Sequence, residues 1–91
     1  MTKLDELIAV SHQLRAPGGC PWDAEQTHES LIQYLTEETY ELIEAIETKD
    51  RDAVLEELGD VLYQVIFHSD LASTGTLGEP FDIEDVAQKM T

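Results

Sequence analysis

Apolar residues recur along this chain with a helical period and nowhere with a strand period. In the first segment, Leu4, Leu7, Ile8 and Leu14 fit one face of a short amphipathic helix over Leu4 to Leu14. The run Ala16-Pro17-Gly18-Gly19 ends it, and Pro21 extends the predicted loop over residues 16–22. Asp23 or Thr27 is then placed to cap a longer helix, from about Thr27 to Thr48. Lys49 and Asp50 leave room only for a tight connection, so the next helix, about Asp52 to Ala72, must return antiparallel to its predecessor. Gly75, Gly78 and Pro80 mark another loop, and Asp82 is a good N-cap for a last helix with Asp85 in its first turn. There is no internal repeat or low-complexity tract. The expected fold class is all-α, with antiparallel helices in one domain spanning residues 1–91.

On a wheel of about 100° per residue, the helix over 27–48 places Leu31, Leu35, Leu42, Ala45 and Ile46 on one stripe. Glu38 falls inside that stripe and Glu41 at its flank, beside Tyr34. A carboxylate facing a core is costly unless it is paired or holds a metal. The following helix has its own core stripe of Val54, Leu58, Val61, Leu62, Val65 and Ala72, with Glu57, Asp60, Gln64 and His68 in line along one side. Gly59 costs this helix about 1 kcal/mol relative to Ala, which the close approach of a neighbouring backbone or a ligand would explain. Past Asp60 the helix is apolar nearly all round, from Val61 to Phe67. It therefore needs cover on several sides, more than one short chain supplies. A second subunit can provide it, so the helices are expected to pair with a partner copy into a bundle.

Charge narrows the chemistry. Asp and Glu number 20 against 5 Lys and Arg, a formal net charge of -15 in 91 residues, so a nucleic-acid polymer would be repelled and an anionic substrate would need metal ions to bring it in. The single cysteine, Cys20, forms no internal disulfide, and the N-terminus lacks the apolar stretch of a secretory signal. No apolar run approaches the ~18 residues that span a bilayer. No membrane association is expected, and the expected location is cytoplasmic.

With so few basic residues to pair it, a metal is the better counter-charge for Glu38. Glu38 and Glu41 stand three residues apart, as do Glu57 and Asp60, so each pair shares a helix face. Two facing helices bring the four carboxylates together as a cage for a hard divalent cation. Glu37 and Glu44 point further round, as solvated charge or in support. Gln64 and His68 are structural or supporting residues rather than ligands, and His12 and His28 are expected to be exposed or capping. Glu25-Gln26-Thr27-His28 matches the ExxH of di-iron bundles, which need two copies where this chain has one. Asp50-x-Asp52 fails as an EF-hand, because Leu55 occupies the glycine position.

The motifs Gly19-Cys20-Pro21-Trp22-Asp23, Glu25-Gln26-Thr27-His28, Glu37-Glu38-Thr39-Tyr40-Glu41, Glu57-Leu58-Gly59-Asp60 and Gln64-Val65-Ile66-Phe67-His68 resemble, in order and spacing, the MazG nucleoside triphosphate pyrophosphohydrolases. The resemblance covers nearly the whole chain. It implies an all-α fold whose subunits pair into helical bundles as a homodimer or tetramer. It also implies Mg²⁺-dependent hydrolysis of a (deoxy)nucleoside triphosphate to the monophosphate and pyrophosphate, with Mn²⁺ as a possible substitute and nucleotide-pool house-cleaning as the role. Carried over residue by residue, the metal ligands fall on Glu38, Glu41, Glu57 and Asp60, with Glu37 as an auxiliary carboxylate. The chemistry of such a site leaves either Glu37 or Glu41 to assist the attacking water as general base. Trp22, Arg15 and His12 are weaker candidates for contact with base or phosphates. Two features depart from the family pattern: Ala24 replaces a basic residue often found after the Trp-Asp pair, and the chain stops at Thr91, short of a basic, histidine-containing segment. A truncated form, a compact single-domain relative and a weakened substrate grip are all compatible with that ending. The competing function is an acidic, dimeric regulatory or protein-binding module with a structural or vestigial metal site.

Overall fold

Short polar side chains set most of the helix boundaries. The computed structural model describes residues 1–91 as helices α1 (Lys3–Arg15), α2 (Pro21–Glu25), α3 (Ile32–Thr48), α4 (Arg51–Ala72) and α5 (Ile83–Met90), with no strand. Thr2 and Asp5 form a reciprocal capping box at the start of α1, and Asp82 and Asp85 do the same for α5. Asp50 accepts from the backbone N–H groups of Asp52 and Ala53, so α4 begins as soon as α3 has ended. Lys49 makes that reversal possible by adopting the left-handed conformation (φ 57°), which lets its own N–H and that of Asp50 return to the last carbonyls of α3.

The expected loop over 16–22 ends early, because Pro21 opens the short helix α2 from its first position, where a missing N–H costs nothing. The helix expected from Thr27 begins at Ile32. Thr27 and Ser30 exchange backbone-to-hydroxyl bonds of 2.8 and 3.0 Å, which make a self-contained capped turn before α3.

α3 and α4 pack as an antiparallel hairpin, α1 lies against α4 and carries α2, and α5 touches α4 alone. The core is small. Leu31, Phe67 and Leu71 form its centre, with Tyr34 and Tyr63 packed against it, and Ile66 and Ala72 are also buried. All but Leu31 and Tyr34 of this set come from α4 beyond Asp60, where α1 supplies cover. The expected stripes are only partly buried: Leu31, Ala45 and Ala72 are inside, whereas Leu35, Ile46, Leu58, Leu62 and Val65 are exposed. The physical reason is that α5 and the segment before it border only Leu35 and Val65, and no other element of the single chain lies over that side of the hairpin. The radius of gyration, 14.1 Å, exceeds the about 12 Å expected for a closed monomer of this length. Gly59 likewise has no close neighbour, since a Cβ built there meets nothing within 4 Å; the close approach expected at this position does not come from this chain.

Candidate metal centre

The register of the hairpin brings the two acidic pairs face to face. Glu38 and Glu41 project from α3, Glu57 and Asp60 from α4, and one carboxylate oxygen from each lies within 4.8 Å of the others. Oxygens sharing one octahedral Mg²⁺ at about 2.1 Å stand about 3.0 to 4.2 Å apart, so a spread of up to 4.8 Å would have to draw in around a single ion, with water or phosphate oxygens filling the remaining positions. Glu37, one residue away, is exposed and stands outside the quartet.

The local electrostatics are those of unbalanced negative charge. Glu38 Oε2 and Glu57 Oε2 are buried without a hydrogen-bond partner. Burial, followed by the charges of Asp60 and Glu41, raises the Glu38 carboxyl above its ordinary value. Burial, followed by the neighbouring Glu41 carboxyl, pushes Glu57 up to about 7. The ion pairs of the chain, Lys3–Glu6, His12–Asp70, Arg15–Asp70 and Arg51–Asp52, all lie elsewhere. An all-oxygen donor set, two orphaned carboxylate oxygens and no local cation together fit a hard divalent ion.

The weaker sequence candidates have other neighbours. Asp70 pairs with His12 Nδ1 at 2.8 Å and with the Arg15 guanidinium, which also lies over the Phe67 ring at 5.7 Å. Asp70 is ten residues beyond Asp60 on α4, about 15 Å along the axis, so His12 and Arg15 tie α1 to α4 at a distance from the carboxylates. Trp22 packs edge-on against Tyr34, with centroids 5.6 Å apart and planes at 76°. Tyr34 itself packs against the Leu31–Phe67–Leu71 core, so Trp22 ties α2 to α3.

His28 is neither exposed nor a cap. Its ring stacks on His68 at 5.0 Å, the two Nδ1 atoms share a hydrogen bond of 2.7 Å, and His28 Nε2 bonds Thr76 Oγ1 at 2.7 Å. Sequence reasoning missed this link because its partners are 40 and 48 residues away. Gln64 and His68 do stand in line above the quartet on α4, as the wheel places them, but neither belongs to the carboxylate cluster.

Comparison with known proteins agrees with the motifs. Residues 26–91 match the family model of the MazG nucleotide pyrophosphohydrolase domain. The chain is 52% identical over 86 residues to the nucleoside triphosphate pyrophosphohydrolase/pyrophosphatase MazG of Thermotoga maritima, covering 94% of this chain and 32% of that protein. It is 46% identical over 88 residues to the nucleoside triphosphate pyrophosphohydrolase of Mycobacterium tuberculosis, covering 97% of this chain and 26% of the other. With the Escherichia coli K12 nucleoside triphosphate pyrophosphohydrolase it shares 45% identity over 73 residues, 79% of this chain and 28% of that one. The chain thus spans a third or less of the length of these relatives. No helix is long and apolar enough to cross a membrane.

Proposed function

The chain belongs to the MazG nucleotide pyrophosphohydrolase family, and from that premise we propose that it cleaves (deoxy)nucleoside triphosphates with water to the nucleoside monophosphate and pyrophosphate. The observation that carries the reading is the quartet Glu38, Glu41, Glu57 and Asp60, with its orphaned oxygens and mutual repulsion. These four residues would hold Mg²⁺, with Mn²⁺ as a substitute. A divalent ion bound there supplies charge neutralisation for the triphosphate and a water of lowered pKa. The protein's own contribution is placement. Two ligands ride on each of two packed helices, so the hairpin register fixes where the phosphates meet the carboxylates. Glu37 or Glu41 would take the proton of the attacking water, Glu41 from within the quartet and Glu37 from its solvent side. The role is nucleotide-pool house-cleaning in the cytoplasm.

The same reading includes a second copy of the chain. Ile46, Leu55 and Leu58 are each more than half exposed on the hairpin, and cover for them fits an obligate homodimer burying at least about 2,000 Å², with a tetramer as the further possibility. The deciding experiment incubates the protein with a panel of nucleoside triphosphates and Mg²⁺ and separates the products. Equal amounts of monophosphate and pyrophosphate are expected. Release of diphosphate plus orthophosphate, or no turnover of any nucleotide, would overturn the assignment.

A further inference from the structure

The chain beyond Thr74 is lightly attached to the rest of the molecule. α5 buries no residue and touches α4 alone. Leu77, Phe81 and Val86 border Leu35 and Val65 of the hairpin across an open groove of about 360 Å³, so this apolar contact is not closely packed. The turn between α4 and α5 is built on Gly75 and Gly78 at φ 91° and 102°, and its backbone returns to α4 only through the N–H groups of Gly75 and Phe81, both donating to the Ala72 carbonyl at 3.1 and 3.4 Å. One side-chain hydrogen bond joins residues 75–91 to the remainder of the chain, between His28 Nε2 and Thr76 Oγ1 at 2.7 Å.

That single bond depends on a second histidine. His28 Nδ1 lies 2.7 Å from His68 Nδ1, with the ring planes 15° apart. Two imidazole nitrogens come this close only when one of them carries a proton and the other does not. With His68 as donor, its Nε2 is a bare acceptor, and this is the atom that is buried without a partner; an orphaned acceptor costs less than an orphaned N–H. His28 then accepts at Nδ1 and donates from Nε2 to Thr76. One added proton is tolerated, because a doubly protonated His28 can donate to a His68 that has moved its own proton to Nε2. A second added proton places N–H groups on both facing atoms and a positive charge on both rings, and the contact must open.

We propose that the His28–His68 pair is an acid-released latch: sharing one proton, it holds Thr76 and with it the arm 75–91 against the hairpin, and when both rings are fully protonated the arm detaches. No carboxylate lines the groove to offset the two charges. α3 contributes Leu35, α4 Gln64, Val65 and Ser69, and the arm Leu77, Phe81 and Val86. The charged groups nearby in sequence, Glu25 and Glu29 on the His28 side and Glu79, Asp82, Glu84, Asp85 and Lys89 on the arm, are all exposed. Burial, followed by the charge of His28, holds the His68 ring below its ordinary value, so release falls on the acid side of the usual histidine range. Detachment also unwinds α5, since an eight-residue helix has little stability by itself. The latch is independent of what binds at the carboxylates.

The test uses the full chain, labelled with heavy nitrogen, and two variants. At neutral pH the parent should show a scalar coupling between the Nδ1 nuclei of His28 and His68 across their hydrogen bond. Amide exchange in α5, divided by the intrinsic rate at each pH, gives the opening constant of the arm. In the parent it should rise steeply as pH falls from about 7 to about 5, by more than about tenfold per pH unit at its steepest, because opening takes up more than one proton. His28→Phe keeps a ring and removes both bonds; its arm should open about tenfold more readily at neutral pH and show no acid slope. Thr76→Val, at an exposed position, should keep the coupling between the histidines, open the arm about fivefold more readily and also lose the slope. Amides of Phe67 and Leu71 in the core should stay protected throughout. Absence of the coupling in the parent, a flat opening constant, or the parent's acid slope surviving in either variant would overturn the latch. Loss of protection at Phe67 and Leu71 together with the arm would mean general acid unfolding and would overturn it equally.

Discussion

Replacing Glu38 by Gln separates a catalytic metal centre from a structural one. The substitution keeps shape and hydrogen-bonding capacity and removes one charge from a site in which four carboxylate oxygens lie within 4.8 Å of one another. Two unit charges at that spacing repel by about 0.9 kcal/mol with water-like screening and by about 3.5 kcal/mol at an effective dielectric of about 20. The quartet is open to solvent on one side and Glu57 takes up a proton near neutrality, so the lower figure applies to roughly two pairs. Metal-free Glu38→Gln should therefore be more stable than the parent by about 1–2 kcal/mol, a rise in Tm of roughly 5–10 °C for a domain of this size. With Mg²⁺ the order should reverse, because the parent gains about 2.7 kcal/mol at a hundredfold excess over Kd and the variant, short of one ligand, gains less. Turnover should fall by about two orders of magnitude or more, as expected when charge-stabilising groups are lost. The assay is thermal melting with chelator and with Mg²⁺ for both proteins, alongside pyrophosphate release. A variant that hydrolyses nucleotides as fast as the parent refutes Glu38 as a catalytic ligand. A variant that melts markedly lower while neither protein turns over substrate favours the binding module, in which the metal is structural.

Glu57 gives the metal-free protein a pH dependence. Its carboxyl is raised from 4.5 to about 7, so the folded state binds more protons than the unfolded one and stability should fall as pH rises through that window. His68, lowered by burial and by His28, acts in the opposite sense below its ordinary value of 6.5, so melts with chelator are best read in a His68→Gln background; a rise in stability across the window would contradict the repulsive quartet. Asp70→Asn leaves the Arg15 guanidinium without its counter-charge in a pair whose side chains are only 14% and 16% exposed; the expected loss is about 2–4 kcal/mol, read as a shift in the urea midpoint, and an unchanged midpoint would mean that α1 is held by packing alone. Leu58→Glu places a charge on the exposed apolar face of α4 and should convert a parent dimer to monomer in sedimentation at micromolar concentration. A folded parent monomer under the same conditions would end the dimer proposal.

The parts of this structure that were legible in the sequence are those fixed by neighbours in sequence. The cap at Asp82, the tight connection at Lys49 and Asp50 and the pairing of Glu38 with Glu41 and of Glu57 with Asp60 all depend on residues a few positions apart, and local chemistry and the helical period carry them. The convergence of the two pairs also followed, because a two-residue connection permits only an antiparallel return. What escaped were contacts between distant segments. The stack of His28 on His68 needs the turn at Thr27–Ser30 to swing the imidazole onto α4, and nothing local to either histidine signals it. The core was misjudged for a related reason: a wheel says which residues share a face but not whether another element lies over it. Leu58 and Leu62 share a stripe with Val54, yet only the far half of α4 is covered by α1.

That uncovered face bears on the site itself. Gly59 lies between Leu58, on the apolar surface, and Asp60, in the quartet, and a Cβ there would meet nothing within 4 Å beyond its own helix turn. A glycine in mid-helix costs about 1 kcal/mol with no close packing inside the monomer to offset it, a cost that a helix packed from outside would explain. In the proposed dimer that helix belongs to the second copy, approaching Leu58 and Leu62 closely enough to exclude a methyl group at position 59. It would then press on the turn of α4 that carries Glu57 and Asp60 and fix their orientation toward Glu38 and Glu41. Cation binding and dimerisation would therefore favour each other, and by linkage each must strengthen the other by the same factor. Sedimentation equilibrium with chelator and with Mg²⁺ should show a tighter dimer in the presence of the ion. Gly59→Ala should weaken the dimer and lower Mg²⁺ affinity together. A dimer constant that is the same with and without Mg²⁺ would separate the apolar face from the carboxylates.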